Sequence, residues 1–275
     1  MTTIADLTPT GALLTGTFAS FGTTLGWQPL FMIKNSIMTG KGLPQMNPKN
    51  LYRGYPINAC CDMTNQSVAF FANNFFNNIL LAGREQTSME KLFGGFFSGM
   101  MAAPLLCICD RIMIVQQLNN DPITKKALAL QETIKKIHQQ EGFKGFFRGL
   151  APTGMRESIN AACFFGLQKV LKPQIERLIE SKETASSISF LVSGLVAGTL
   201  TTPADLIKTN MQSTIGCKKN MLAVTKELIN SSQHNVIRAL FKGCLARTGM
   251  MGCLLLTLGT ISNNLPNYLP NSLKK

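Results

Sequence analysis

Charged residues leave long gaps in this chain. No Asp, Glu, Lys or Arg occurs from Leu7 to Ile33, from Leu92 to Cys109, from Thr184 to Ala204, or from Thr248 to Leu273. Two further stretches are nearly clean: Tyr55 to Gly83 carries only Asp62, and Gly149 to Gln168 only Arg156 and Glu157. Each gap can hold the about 20 helical residues that cross a bilayer. The pattern predicts an all-α membrane protein of six transmembrane helices, at about 10–38, 55–82, 91–118, 149–170, 185–212 and 243–266. Many Gly, Ser, Thr and Asn residues in these spans suit close packing around a polar interior. A soluble helical bundle is the competing reading, and six such stretches in one chain weigh against it.

The pattern also repeats. "LYRG" at Leu51–Gly54 returns as "FFRG" at Phe146–Gly149 and "LFKG" at Leu240–Gly243, with the glycines 95 and 94 residues apart. The chain is therefore read as three tandem two-helix repeats with pseudo-threefold symmetry, residues 1–85, 86–180 and 181–275. Before the second motif, Leu130, Ile134 and Ile137 fall on one helical face of "LALQETIKKIHQQ", which predicts a short amphipathic helix at the membrane surface. The first copy is shorter by about fifteen residues here, and "TGKGLPQMNPKN" is a turn-rich loop in its place. Each aromatic-basic-glycine motif opens an even-numbered helix, where free backbone N–H groups can hold a lipid phosphate. Arg53 and Gly54, Arg148 and Gly149, and Lys242 and Gly243 are the candidates, with a cardiolipin-like lipid as partner.

Composition agrees. Of 275 residues 45% are hydrophobic and 15% charged, against roughly 25% charged in soluble domains. Bases outnumber acids 27 to 14, a net charge of +13. Seventeen of the 27 lie in the connections 34–53, 111–148 and 208–242, and 8 lie on the opposite side with the termini. By the positive-inside rule both termini face away from the basic connections. Sidedness thus accounts for much of the charge without nucleic acid, and a basic nucleic-acid binder does not fit the spans. The eight cysteines form no CxxC pair and no metal-spaced cluster with histidine, so buried thiols are expected and no metal. The opening "MTTIADLTPTG" has no basic segment leading into an apolar core, so no secretory signal is expected. No nucleophile–base pair or phosphate-binding glycine loop is visible, which points away from an enzyme and from a cofactor.

"TTPADLIKTNMQ" places Pro203, Asp205, Lys208 and Gln212 at the end of an apolar run. Its first-copy counterpart is Pro29, Phe31, Lys34 and Met38, and its second-copy counterpart is Ile108, Asp110, Met113 and Gln117. Proline removes a backbone donor and kinks a helix, so Pro29 and Pro203 are expected to bend odd helices inward. These motifs, together with "EGFKGFFRG", resemble the mitochondrial carrier family over essentially the whole chain. The resemblance implies a barrel of six tilted helices, opening alternately to cytosol and matrix around one central site. It implies a location in the mitochondrial inner membrane with both termini in the intermembrane space, and a protein acting as a monomer.

In that family the acid of each odd helix pairs with the base of the next. Carried over, Asp110 meets Lys208 and Asp205 meets Lys34, while Phe31 opposes Met113; with Gln117 and Gln212 these form a gate on the matrix side. Replacing a whole ion pair by apolar residues is far milder than orphaning one partner. At the other end the matching positions are Asn74 and Asn77, Lys169 and Lys172, and Ser262 and Leu265, none acidic. A cytosolic gate held only by hydrogen bonds is expected there.

Ionisable residues inside spans are functional candidates. The family's contact positions midway along the even helices fall on Cys61 and Asp62, Arg156 and Glu157, and Met250 and Met251, with Asn58, Asn65, Asn160 and Arg247 within a turn or two. Arg156 suits a carboxylate or phosphate, and Glu157 and Asp62 suit an ammonium or sulfonium. An Arg-acid pair on the fourth helix resembles carriers of amino acids and related compounds, including S-adenosylmethionine. Cys61, Met250 and Thr24 leave the other phosphate-gripping positions without a base. The eroded motifs and the Asn-, Lys- and Ile-rich composition also resemble a member acquired by a bacterium and delivered to host mitochondria, which would make an adenine nucleotide the alternative substrate. A carrier-fold membrane adaptor without transport is the remaining reading.

Overall fold

The computed structural model describes residues 8–39, 46–52, 55–77, 87–118, 129–179, 181–216, 220–231 and 235–268. The described residues contain helix and no strand. In chain order the helices are α1 (Pro9–Met38), the single turn α2 (Pro48–Leu51), α3 (Tyr55–Phe75), α4 (Ser88–Leu118), α5 (Leu130–Glu141), α6 (Leu150–Ala161), α7 (Gln168–Glu176), α8 (Lys182–Ser213), α9 (Met221–Ser231), α10 (Val236–Leu240) and α11 (Cys244–Tyr268). A 3-10 turn, Phe143–Phe147, leads into α6, and a π-helical segment, Ala162–Leu167, joins α6 to α7.

Six rods follow the six predicted spans. The odd rods α1, α4 and α8 run for 30, 31 and 32 residues. At about 1.5 Å per residue each is longer than the roughly 30 Å hydrocarbon core, so these rods tilt if they span it. Each contains a proline: Pro29, Pro104 and Pro203. The even rod α6–α7 continues to Glu176, past the expected 170. The second predicted span is helical from Tyr55 to Phe75, then π-helical at Phe76 and Asn77, and its remainder lies outside the described residues.

By length and composition α4, α8 and the Cys244–Leu265 part of α11 are apolar enough to cross a membrane. The others fall short because their polar residues are many, and the placement of those residues is informative. Thr15, Ser20, Thr23, Thr24 and Gln28 of α1 and Asn58, Asn65, Asn73 and Asn74 of α3 are buried, while Phe18, Phe21, Leu25, Phe71 and Phe75 face outward. Polar side chains inside and large apolar ones outside suit lipid surroundings and a wet centre, the inverse of a soluble bundle.

The rods form a closed ring in the order α1, α3, α4, α6, α8, α11 and back to α1. Within each copy the odd helix presses a glycine onto the even one. A Cβ on Gly16 would stand 2.7 Å from the Gln66 carbonyl oxygen, one on Gly95 2.5 Å from that of Ala161, and one on Gly194 2.5 Å from that of Met251. Trp27 Nε1 donates to Thr257 Oγ1 at 3.0 Å, tying the last helix to the first. Gly149 and Gly243, the repeated glycines of the sequence motif, open α6 and α11 with φ of +82° and +78°. A side chain is strained there, which is the local reason for glycine.

The amphipathic helix expected near residue 134 is α5, but its faces divide differently. Ile137 is buried against Ile112, Val115 and Phe146, whereas Leu130 and Ile134 are exposed. Two of the three apolar residues thus point away from the protein, as suits a helix lying on a membrane surface. The first copy has only the four-residue α2 at this stage of the chain.

Candidate functional site

A cavity of about 100 Å³ lies inside the ring and is lined from five of its six rods and from α8 through Lys208. Seven of its lining residues carry ionisable charge: Lys34, Asp62, Asp110, Arg156, Glu157, Lys208 and Arg247. Asp205, fully buried, lies just behind them and organises the cations. Lys34 Nζ donates to its Oδ2 at 2.9 Å, Arg247 Nη1 to the same oxygen at 2.6 Å, and Arg156 Nη1 to Oδ1 at 3.0 Å. Asp110 is the second centre, accepting from Lys208 and from Arg156 Nη2, the latter at 3.0 Å. Arg156 also pairs with Glu157 Oε1 at 2.6 Å. Both anticipated contacts of the odd helices, Lys34 with Asp205 and Asp110 with Lys208, are therefore formed.

Arg156 and Arg247 reach further than the sequence suggested. Placed on the even helices as contacts for a solute, they are joined to the acids of the odd ones. Arg156 touches three carboxylates at once, and Arg247 adds two hydrogen bonds to Thr201 Oγ1, at 3.3 and 2.8 Å. Charges this deep are costly unless paired. Guanidinium groups satisfy the need because their planar fork serves several oxygens together.

Asp62 stands apart. Its Oδ2 accepts from Thr24 Oγ1 at 3.0 Å, and it makes no ion pair among the described residues. Asn58 donates to Gln28 Oε1 at 2.7 Å, Asn65 approaches Glu157 Oε2 at 3.4 Å, and Asn160 accepts from Thr201 at 3.4 Å. Met250 and Met251 line the apolar wall. Cys61 does not line the cavity. One residue is about 100° of helix, so with Asp62 turned inward Cys61 is buried against Cys109 of α4 instead.

The rest of the expected loop-end layer is partly redistributed. Gln117 accepts from Asn35 at 2.8 Å, but Gln212 donates to the Arg148 carbonyl at 3.0 Å and ties α8 to the opening of α6. Phe31 packs with the cluster containing Phe70 and Phe164, and Met113 packs with Ile114, Leu118 and Ile57; both line the cavity. Arg148, a lipid-phosphate candidate, is held by Glu141 at 3.0 Å, which also takes Arg111 at 2.9 Å and the Gly216 N–H at 2.7 Å. Its guanidinium is thus already committed to a carboxylate. Lys242 is exposed, and Arg53 and Gly54 lie outside the described residues.

Toward the end at which α1 begins and α11 ends, aromatic packing covers the cavity. Phe70 meets Phe164 and Phe165 at ring-centroid distances of 5.7 and 5.0 Å, and Phe164 meets Phe190 at 5.4 Å. All four are buried. The sequence reading missed this layer and expected only hydrogen bonds. The π-helical segment contributes, because consecutive Phe164 and Phe165 both face inward there. Above the phenyl layer Asn74, Asn77, Lys169 and Lys172 line a second cavity, while Ser262 donates within its own helix at 3.1 Å.

Comparison with known proteins finds mitochondrial carriers. A probable mitochondrial 2-oxodicarboxylate carrier of Dictyostelium discoideum is 23% identical over 258 residues, covering 87% of this chain and 84% of that protein. A mitochondrial glycine transporter of Yarrowia lipolytica is 24% identical over 258 residues, covering 82% and 84%. A second glycine transporter, from Mycosarcoma maydis, is 31% identical over 148 residues, which span 51% of this chain and 36% of that one. The profile described as Mitochondrial carrier protein matches residues 84–177 and 181–261, the second and third copies. With two copies matched by the family profile and six rods closed around one charged cavity, the chain belongs to the mitochondrial carrier family, whose members transport small metabolites.

Proposed function

We propose that this protein carries an amino-acid-like zwitterion across the mitochondrial inner membrane by alternating access. The observation behind the reading is Asp62, a carboxylate facing the central cavity with a threonine hydroxyl as its partner while the other acids there are matched to bases. An ammonium group would complete it. A carboxylate at the other end of the solute would be taken by Arg156 or Arg247, in competition with Asp110 and Asp205. That competition is the coupling: a bound solute draws guanidinium N–H groups off the acids that join the odd helices. The Lys34–Asp205 and Asp110–Lys208 pairs then act as the matrix-side lock, with both termini in the intermembrane space.

Size and charge both support a small neutral solute. The cavity of about 100 Å³ is well below the roughly 300–1,000 Å³ typical of drug-sized ligands. Asp62, Asp110, Glu157 and Asp205 balance Lys34, Arg156, Lys208 and Arg247 one for one. A zwitterion keeps that balance, whereas a dicarboxylate leaves two charges uncompensated beside Asp62 and Glu157. The relatives described as glycine transporters fit the reading better than the 2-oxodicarboxylate carrier. For an adenine nucleotide Cys61, Met250 and Thr24 supply no base. A cardiolipin-like phosphate is proposed at the N–H groups that Gly149 and Gly243 set free, and the ring closes within a monomer. A non-transporting adaptor would have no use for a buried, charge-balanced cavity.

Uptake of labelled glycine and larger neutral amino acids into proteoliposomes tests the proposal, beside a 2-oxodicarboxylate and ADP. The wild type is expected to favour a zwitterion. Asp62→Asn is expected to lower that uptake about tenfold to a hundredfold, the equivalent of one lost charge-assisted hydrogen bond of about 1.5–3 kcal/mol. Preferred uptake of the dicarboxylate, undiminished in Asp62→Asn, would overturn it.

A further inference from the structure

The second cavity, at the terminal end of the ring, has a charge pattern that the transport reading leaves unused. It measures about 250 Å³ and is lined by Asn73, Asn77, Gln168, Lys169, Lys172 and Asn263, with Phe164, Phe165 and Phe190 beneath. At about 30 Å³ per water, it has room for a hydrated oxyanion or a small carboxylate. Its described lining contains two lysines and no acid. Among the described residues Lys172 reaches Glu176, at 4.0 Å along its own partly exposed helix face. Lys169 has no acidic partner among the described residues, and Lys91 at the start of α4 brings a third positive charge toward it. The start of α4 is close by, since a Cβ on Gly166 would stand 2.7 Å from the Lys91 carbonyl oxygen.

We propose that this vestibule is an anion-binding site, taking a phosphate or small carboxylate between Lys169 and Lys172. An ammonium group recessed in a pocket without an acidic partner, as at Lys169, is costly, and the Asn73 and Gln168 amides on the lining carry N–H donors that suit an anion's shell. The phenyl floor keeps water from one side, which strengthens each charge interaction above it. The site is separated from the central cavity by that floor and does not depend on Asp62. The anion supplies the negative charge that Asn74, Asn77, Lys169, Lys172, Ser262 and Leu265 all lack at this end. Held between α3 and α7, it bridges two even rods on either side of α4 and so favours closure of the terminal end.

The same chemistry could reach the site as free phosphate or as a lipid headgroup, and the test separates them. Tm of the detergent-purified protein is measured against inorganic phosphate at constant ionic strength, then against cardiolipin in lipid-free detergent. A saturable rise is expected by mass action. Lys169→Gln/Lys172→Gln should raise the apparent Kd at least about tenfold, while Lys182→Gln, an exposed control, and Asp62→Asn leave it unchanged. A rise with phosphate identifies a free anion, and a rise with cardiolipin alone identifies a headgroup; both support the site if the double variant loses them. No saturable rise in the wild type with either probe, or an equal rise in the double variant, overturns it. If the double variant fails to fold, the single variants Lys169→Gln and Lys172→Gln carry the same comparison, and an unchanged apparent Kd in both overturns the idea.

Discussion

Replacing Asp205 by alanine is expected to abolish uptake and to destabilise the protein by about 3–5 kcal/mol, the cost of breaking a buried pair from one side. Asp205 is fully buried and serves Lys34, Arg156 and Arg247 together. Without it Lys34 loses its carboxylate partner, and Arg247 is left with the Thr201 hydroxyl. Arg156 keeps Asp110 and Glu157. Lys34→Met should be clearly milder, since Asp205 would retain two guanidinium groups. A simple two-residue lock makes the opposite forecast, with equal loss from either side. Thermal melts of both variants in detergent, beside their uptake in proteoliposomes, decide between the two. Equal destabilisation would remove the case for a shared anionic centre.

That centre was only half legible in the sequence. Lys34, Asp110, Asp205 and Lys208 stand out because a charge at the edge of an apolar run is rare, and the tandem copies align them. Which acid meets which base came from the cyclic rule of the family. Nothing along the chain indicated that Arg156 and Arg247 would reach the same acids, because that depends on how closely the even helices approach α8. Cys61 shows a different limit. A contact position can be located to a helical turn, yet adjacent residues on that turn face about 100° apart. Arg148 looked free for a phosphate because its partner, Glu141, is brought beside it by a glycine and a 3-10 turn. Phe70, Phe164, Phe165 and Phe190 read like the lipid-facing Phe18 and Phe21, and the π-helical segment that turns two of them inward leaves no pattern to follow.

The glycines of the odd helices carry the other large effect. Gly99→Ala is expected to lower stability by about 1–3 kcal/mol and Gly99→Leu to prevent assembly of the ring, as overpacking a rigid contact does. A Cβ on Gly99 collides with the Glu157 carbonyl and stands 2.7 Å from the Ser158 Cα. These are backbone atoms of α6, so relief requires moving the helix itself. That helix holds Arg156, whose bonds to Asp110 and Asp205 at 3.0 Å span from α6 to α4 and α8. Displacing it lengthens both, and uptake should fall further in Gly99→Ala than the stability loss alone explains. Gly26→Ala is the matched control, because nothing lies within 4 Å of a Cβ there. In a helix interior that change should be neutral or stabilising by up to about 1 kcal/mol. Melts and uptake of the pair separate helix propensity from contact. If Gly99→Ala melts and transports like Gly26→Ala, α4 and α6 do not meet through this glycine, and the position of Arg156 must be set by something else.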